Sequence, residues 1–290
     1  MLKHALLFPT RGRTEKAVAA LENVLSLAKG PLFVYIKLDN DDREADATRS
    51  ALEKVLAEWG QTGIFLKGPR VMRGCVAGFN ICAEAAYRDG CHLLQLLEDG
   101  HTFVTQGWDL IVQQTYLKTT RKGLIFFPNS YDDKLVFDVT LDLFYVTSSI
   151  QTREWYERFG YFFAPCYNHF FGDWELAYIA HKSKNVIYLP DVVIKHDKFS
   201  SQDRLFHEIR NANRMENDYN AYVSRFQDMI DHIIRNYTSA LPFEEAEYRR
   251  YAAHMGSLQV EYKATALIFP QFQHYEKLAL FTEAVRSLLL

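Results

Sequence analysis

The chain predicts an α/β fold: a Rossmann-like mixed sheet with flanking helices over residues 1–199, followed by a mostly helical C-terminal extension over residues 200–290. Three observations carry this reading. Apolar runs of strand length recur at residues 4–8, 32–38, 93–97 and 123–127, each bounded by polar or turn-forming residues. Segments with apolar residues at three- and four-residue spacing lie between them, so strands and helices alternate. The central run, Leu93-Leu94-Gln95-Leu96-Leu97, passes without a break into Glu98-Asp99-Gly100-His101. That is the end of a strand at which open α/β sheets keep their chemistry.

At 290 residues, 48% hydrophobic and 14% aromatic, the chain can bury a substantial core. A formal charge of −3 gives no surplus of Lys and Arg for a nucleic-acid backbone as the main partner. Cys75, Cys82, Cys91 and Cys166 form no C-x-x-C pair, and a chain of this size needs no staples, which predicts reduced thiols and a cytoplasmic location. The apolar start, residues 1–8, is too short for a secretory leader, and no stretch approaches the roughly 20 apolar residues of a membrane span.

Taken in order, residues 4–8 form a buried strand, and Pro9-Thr10-Arg11-Gly12-Arg13 a tight loop into a helix marked by Val18, Leu21, Leu25 and Ala28. In such a unit, backbone N–H groups and Thr10 can meet a ligand at the helix start. Residues 32–38 form a second strand ending in Asp39-Asn40-Asp41-Asp42, where Asp41 or Asp42 is expected to cap the helix carrying Ala45, Thr48, Leu52, Val55 and Trp59. Residues 63–67 form a third, shorter strand nearer an edge. A loop with Arg70 and Arg73 leads to a helix over 75–88, with Phe79, Cys82, Ala83 and Ala86 on its packed face and Asn80 one step off it.

Asp99 and His101 stand two apart. In an extended segment that spacing points both to one side, where a carboxylate and an imidazole can share a divalent ion. A helix follows from Trp108 to about Thr120, then strands at 123–127 and 141–148, a helix start at Asp173-Trp174, and short strands at 186–189 and 192–195 ending at His196. Asp is a favoured helix cap, so Asp173 is expected at that position.

An apolar strand, a D-x-D or D-x-H and a Trp seven residues on resembles the motif of GT-A-type glycosyltransferases, including family 2-like enzymes of phages and bacteria. The resemblance implies a metal-dependent glycosyltransferase (a hexosyltransferase) that moves sugar from a nucleoside-diphosphate sugar, a UDP-sugar favoured, to an unidentified acceptor hydroxyl. It implies Asp99, His101 and His196 as ligands of Mn²⁺ or Mg²⁺, with a second register in which Glu98 and Asp99 take the place of an Asp-Asp pair. P-T-R-G-R resembles the family's opening loop, giving Pro9, Thr10 and Arg11 as donor contacts. Asp39 falls where the family binds the base or ribose, and Arg73 and Asn80 where it contacts diphosphate and ribose, with Arg70 a weaker candidate. Glu98, Trp108 and Trp174 complete the implied binding set. Phe170-Phe171-Gly172-Asp173-Trp174-Glu175-Leu176 resembles the helix start of inverting transferases, which makes Asp173 the catalytic base.

Two alternatives stand beside it: a catalytically silent sugar-nucleotide binding module, and a nucleotidyltransferase, for which a Gly-rich phosphate loop is missing. A modified DNA base stays open as acceptor. The extension fits packing, homo-oligomerising and acceptor-shaping roles equally.

Overall fold

A computed structural model describes residues 2–70, 74–119, 123–127, 129–130, 135–138, 143–144, 148–183, 185–189, 191–196, 214–225, 228 and 260–263. In chain order the elements are β1 (His4–Pro9), α1 (Thr14–Leu27), β2 (Phe33–Asp39), α2 (Ala45–Glu58), β3 (Thr62–Gly68), α3 (Val76–Arg88), β4 (Leu93–Leu96) and β5 (His101–Phe103). They continue with α4 (Trp108–Lys118), β6 (Leu124–Phe126), β7 (Asn129–Ser130), β8 (Leu135–Asp138), β9 (Leu143–Phe144), β10 (Ser149–Thr152), α5 (Arg153–Phe159) and α6 (Gly172–Lys182). Last come β11 (Val186–Tyr188), β12 (Ile194–His196), α7 (Arg214–Ser224) and β13 (Val260–Lys263).

Seven strands form the main sheet in the order β11-β6-β10-β4-β1-β2-β3. Strands β4, β1, β2 and β3 run parallel, as strands joined by helical crossovers do, while β10 is antiparallel to both β4 and β6. The sheet is mixed, as the sequence predicts. Strand alternation divides the core: Ala5 and Leu7 of β1 pack with α3 on one face, and Leu6 and Phe8 pack with α1, α2 and α4 on the other. Both faces of β4 are therefore covered, which is why its sequence reads as a leucine run broken only by the buried Gln95 rather than an alternation.

Local differences from the sequence reading have simple causes. Neither Asp41 nor Asp42 caps α2: Asp42 instead accepts from the backbone N–H groups of Gly12 and Glu44, tying the α1 loop to the β2 end. The buried face of α4 is Trp108, Asp109, Val112 and Tyr116, and Leu117 is 69% exposed. Asp109 is drawn inside because its carboxylate accepts from the N–H groups of Lys29 and Gly30.

Beyond the ends of β4, a small three-stranded sheet, β5-β12-β7, pairs β5 antiparallel to β12 with His101 opposite His196. The described part of the extension contributes a helix, α7, and a strand, β13, which pairs with β8. No helix among the described residues is long and apolar enough to cross a membrane. All four cysteines are free thiols.

Candidate active site

After Leu97 the chain does not stay extended. The His101 N–H donates to the Glu98 carbonyl at 3.1 Å, closing a tight turn over residues 98–101. The two-residue spacing that would put Asp99 beside His101 applies only to a strand. Across this turn the residues three apart meet, and Glu98, His101 and His196 bring one ligand atom each to within 4.8 Å of one another. Asp99 faces the other way, toward Arg13, with its carboxylate 3.2 Å from the guanidinium.

Hydrogen bonds fix both rings. His101 Nδ1 accepts from the Glu98 N–H at 3.3 Å, so its proton sits on Nε2, 2.9 Å from the Ser148 hydroxyl oxygen. His196 Nε2 donates to Glu98 Oε2 at 3.0 Å, and the two ring centroids are 5.0 Å apart. Burial lowers the His101 pKa to about 3 against the pull of Glu98, so the imidazole is neutral at physiological pH. Burial also works against the charge on Glu98, but the His196 hydrogen bond and the surrounding imidazoles outweigh it and hold the carboxyl below its usual range. Glu98 remains 31% exposed, leaving a solvent path to the cluster. One carboxylate and two imidazoles suit a borderline divalent cation, and the proton shared by His196 and Glu98 lies where such a cation would compete for it.

Asp173 stands in the first turn of α6, one residue inside the start of the helix at Gly172 and not ahead of it as a cap would be. Its carboxylate accepts from the Trp174 N–H at 3.0 Å. Burial, with the nearby negative charge of Glu98 adding to it, raises the Asp173 pKa to about 7. His196 acts in the opposite direction and partly offsets the Glu98 charge. Phe171, just before the helix, has φ 67°, a left-handed conformation strained for a bulky side chain. His169 also acts on Glu98.

The carboxyl ends of β1 and β2 present a second group of charges. Arg11 bonds Asp39 at 3.1 Å and Asp41 at 2.6 Å, and the buried Lys37 ammonium bonds Asp39 at 2.5 Å. Thr10 follows Pro9 at the end of β1, and its hydroxyl is buried without a hydrogen-bond partner among the described residues.

No protein-family model matches the chain, and no curated protein sequence matches it. Among solved structures, the mannosyltransferase PcManGT from Pyrobaculum calidifontis in complex with GDP-Man and Mn²⁺ is similar over 98% of this chain and 84% of its own, at 15% identity and a TM-score of 0.54. A mycobacterial protein is similar over 68% of this chain and 65% of its own, at 10% identity and a TM-score of 0.37, too low to carry an argument. The first likeness shows the fold: a glycosyltransferase-type Rossmann-like architecture.

Within that fold three of the binding residues expected from sequence have structural duties. Trp108 is fully buried, donating to the Val24 carbonyl and packing against Phe103, so it has no face for a ligand. Asn80 accepts from the N–H groups of Phe162 and Phe163 and donates to the Phe163 carbonyl, which commits its amide to that loop. Trp174 is half-buried against Phe171 and the core. Arg73 lies outside the described residues. Sequence reasoning missed Ser148, His169 and Asp218. Asp218 alone carried a readable signal, since it shares a helical face with Tyr222 and Arg225 at i, i+4 and i+7.

Proposed function

We propose that the chain is a metal-dependent glycosyltransferase, taking sugar from a nucleoside-diphosphate sugar and passing it to an acceptor hydroxyl. The observation that carries this is the convergence of Glu98, His101 and His196 at the end of the central strand, with the charge of Glu98 felt by Asp173. A divalent cation held by Glu98, His196 and His101 would supply stabilisation of the charge that grows on the diphosphate as it leaves, and imidazole donors favour Mn²⁺ over Mg²⁺. A cation would displace the proton that His196 shares with Glu98, and acid, by protonating these ligands, weakens the site.

Asp173 is the base in this reading. A carboxylate with a pKa near 7 can take the acceptor's proton as the hydroxyl attacks, which corresponds to inversion at the sugar. Thr10 can donate its hydroxyl proton to a phosphate or ribose oxygen, and Asp39, held by Arg11 and Lys37, can accept from ribose hydroxyls or a base N–H. Asp99, bonded to Arg13, borders this donor side. The sequence resemblance favours a uridine donor, and the GDP-Man bound by the mannosyltransferase of similar fold makes guanosine the second candidate.

The test is a melting curve with Mn²⁺ and each of UDP and GDP. A ligand that binds only the folded state raises the melting temperature by mass action. We expect one nucleotide to raise it in the presence of Mn²⁺ and not with EDTA. No shift with any common nucleoside diphosphate would remove the reading.

A further inference from the structure

We infer that α7 is the positioning device for the proposed base: Asp218, Tyr222 and Arg225 hold residues 168–175 in the shape that fixes where the Asp173 carboxylate stands at the start of α6. The inference rests on the role given to Asp173 above.

The three side chains lie on one face of α7 and engage the segment in sequence. Asp218 is fully buried, and its carboxylate accepts from three consecutive backbone N–H groups, Asn168 at 2.8 Å, His169 at 2.9 Å and Phe170 at 2.9 Å, and from the Asn168 side-chain amide at 3.1 Å. One turn on, Tyr222 stacks on Phe171 with ring centroids 5.4 Å apart and planes at 29°. A further turn on, Arg225 grips the buried Glu175 carboxylate at 2.7 and 2.9 Å and reaches the Tyr161 hydroxyl at 3.2 Å. Tyr167 donates to the same carboxylate at 2.5 Å. Asp173 is thus bracketed by Phe171 on one side and Glu175 on the other.

Buried charge is costly unless fully hydrogen-bonded, and here an acid and a base are both sunk into one short contact with their capacity met. The convergence of N–H groups on Asp218 defines the loop's backbone, and the left-handed turn at Phe171 ends it. Because α6 begins at the next residue, that turn decides the direction in which its first-turn carboxylate points. Small displacements of a reacting group cost catalysis far more than they cost binding of a ligand held elsewhere.

The test compares Asp218→Asn and Tyr222→Ala with the unmutated full chain. It measures Mn²⁺-dependent UDP and GDP binding by calorimetry, and release of free sugar from UDP-glucose and GDP-mannose. Both variants should bind nucleotide within about twofold of the unmutated chain and release sugar roughly 10- to 100-fold more slowly. Arg225→Lys, which keeps the charge and loses the two-pronged grip, should show the same split with a smaller loss. If Asp218→Asn does not melt cooperatively, the other two variants decide on the same split. Unchanged sugar release in folded variants, or affinity falling in step with turnover, overturns the inference and leaves the glycosyltransferase reading intact. Absence of nucleotide binding or sugar release in the unmutated chain removes that reading and the inference with it.

Discussion

Two groups of charges sit at the carboxyl ends of the sheet, and they are balanced differently. At the ends of β1 and β2, cations and anions alternate: Arg11 with Asp39 and Asp41, Lys37 with Asp39, and Arg13 with Asp99 across to the β4 turn. At the end of β4, the Glu98 charge acts on Asp173, and the neutral His101, at the start of β5, bonds Ser148 just before β10. The first group offsets its own charge. The second raises one carboxyl to about 7 and holds the other ionised, a state that a bound cation would relieve. On the proposed function the difference would separate recognition from reaction: paired charges give a rigid, selective surface, whereas unbalanced ones respond to what arrives.

The largest expected effect tests the reactive group. Asp173→Asn keeps the hydrogen bond from the Trp174 N–H but cannot accept a proton, so release of sugar from the donor should fall by about 10² to 10⁴ while Mn²⁺-dependent nucleotide binding persists. A variant that turns over normally would make Asp173 a spectator and return the two charge groups to equal standing.

Next in size are the ion ligands. His196→Ala and Glu98→Gln should weaken Mn²⁺-dependent nucleotide binding roughly 10- to 100-fold in calorimetric titrations, and Asp99→Asn by much less, because Asp99 is committed to Arg13. An Asp99→Asn loss equal to that of Glu98→Gln would shift the ligand set back by one residue and blur the boundary between the two groups.

The smallest effect is on stability, and its sign distinguishes the regions. Folding raises the Asp173 pKa from 3.8 to about 7, so the folded state holds that proton more tightly than the unfolded chain does. The contribution is complete below the ordinary value and is lost as pH rises through about 7. Asp173→Asn should therefore melt a few degrees above the unmutated protein at pH 8, at about 2–4 °C per kcal/mol, with the gap closing toward pH 4. Asp41 runs the opposite way. Its hydrogen bond from Arg11 lowers its pKa, so the stabilisation is present above the ordinary value and is lost as pH falls. The deficit of Arg11→Met in the same melting series should accordingly be present at pH 7 and vanish in acid.

Most of the fold was legible because burial writes itself locally: β4 is buried on both faces and so reads as Leu93-Leu94-Gln95-Leu96, and α3 occupies 76–88 where spacing predicts 75–88. The order of the site along the chain was legible for the same reason, since Glu98, Asp173 and His196 each follow or open a regular element. The ligand set was less so. Whether Asp99 or Glu98 joins the histidines depends on a single turn, and turn geometry over four polar residues leaves no periodicity to read. Trp108 and Asn80 look like ligand contacts only until packing assigns them partners, Val24 and Phe163, that lie 84 and 83 residues away. Of Asp218 only the helical face it shares with Tyr222 and Arg225 was legible; what it holds was not, because its partners are backbone N–H groups 50 residues earlier, and backbone leaves no side-chain signature.

The pairing of β5 with β12 has a consequence for assembly. His196 and Glu98 are separated by 98 positions, so their contact closes a long loop, and loop closure must be met before such contacts repay it. During synthesis the first imidazole and the carboxylate emerge well before their partner strand does. A chain halted before residue 194 would carry the sheet's parallel half and the 98–101 turn, yet hold no complete set of ligands. Cation affinity would then report the docking of one three-residue strand, and with it the moment at which the two halves of the molecule become one.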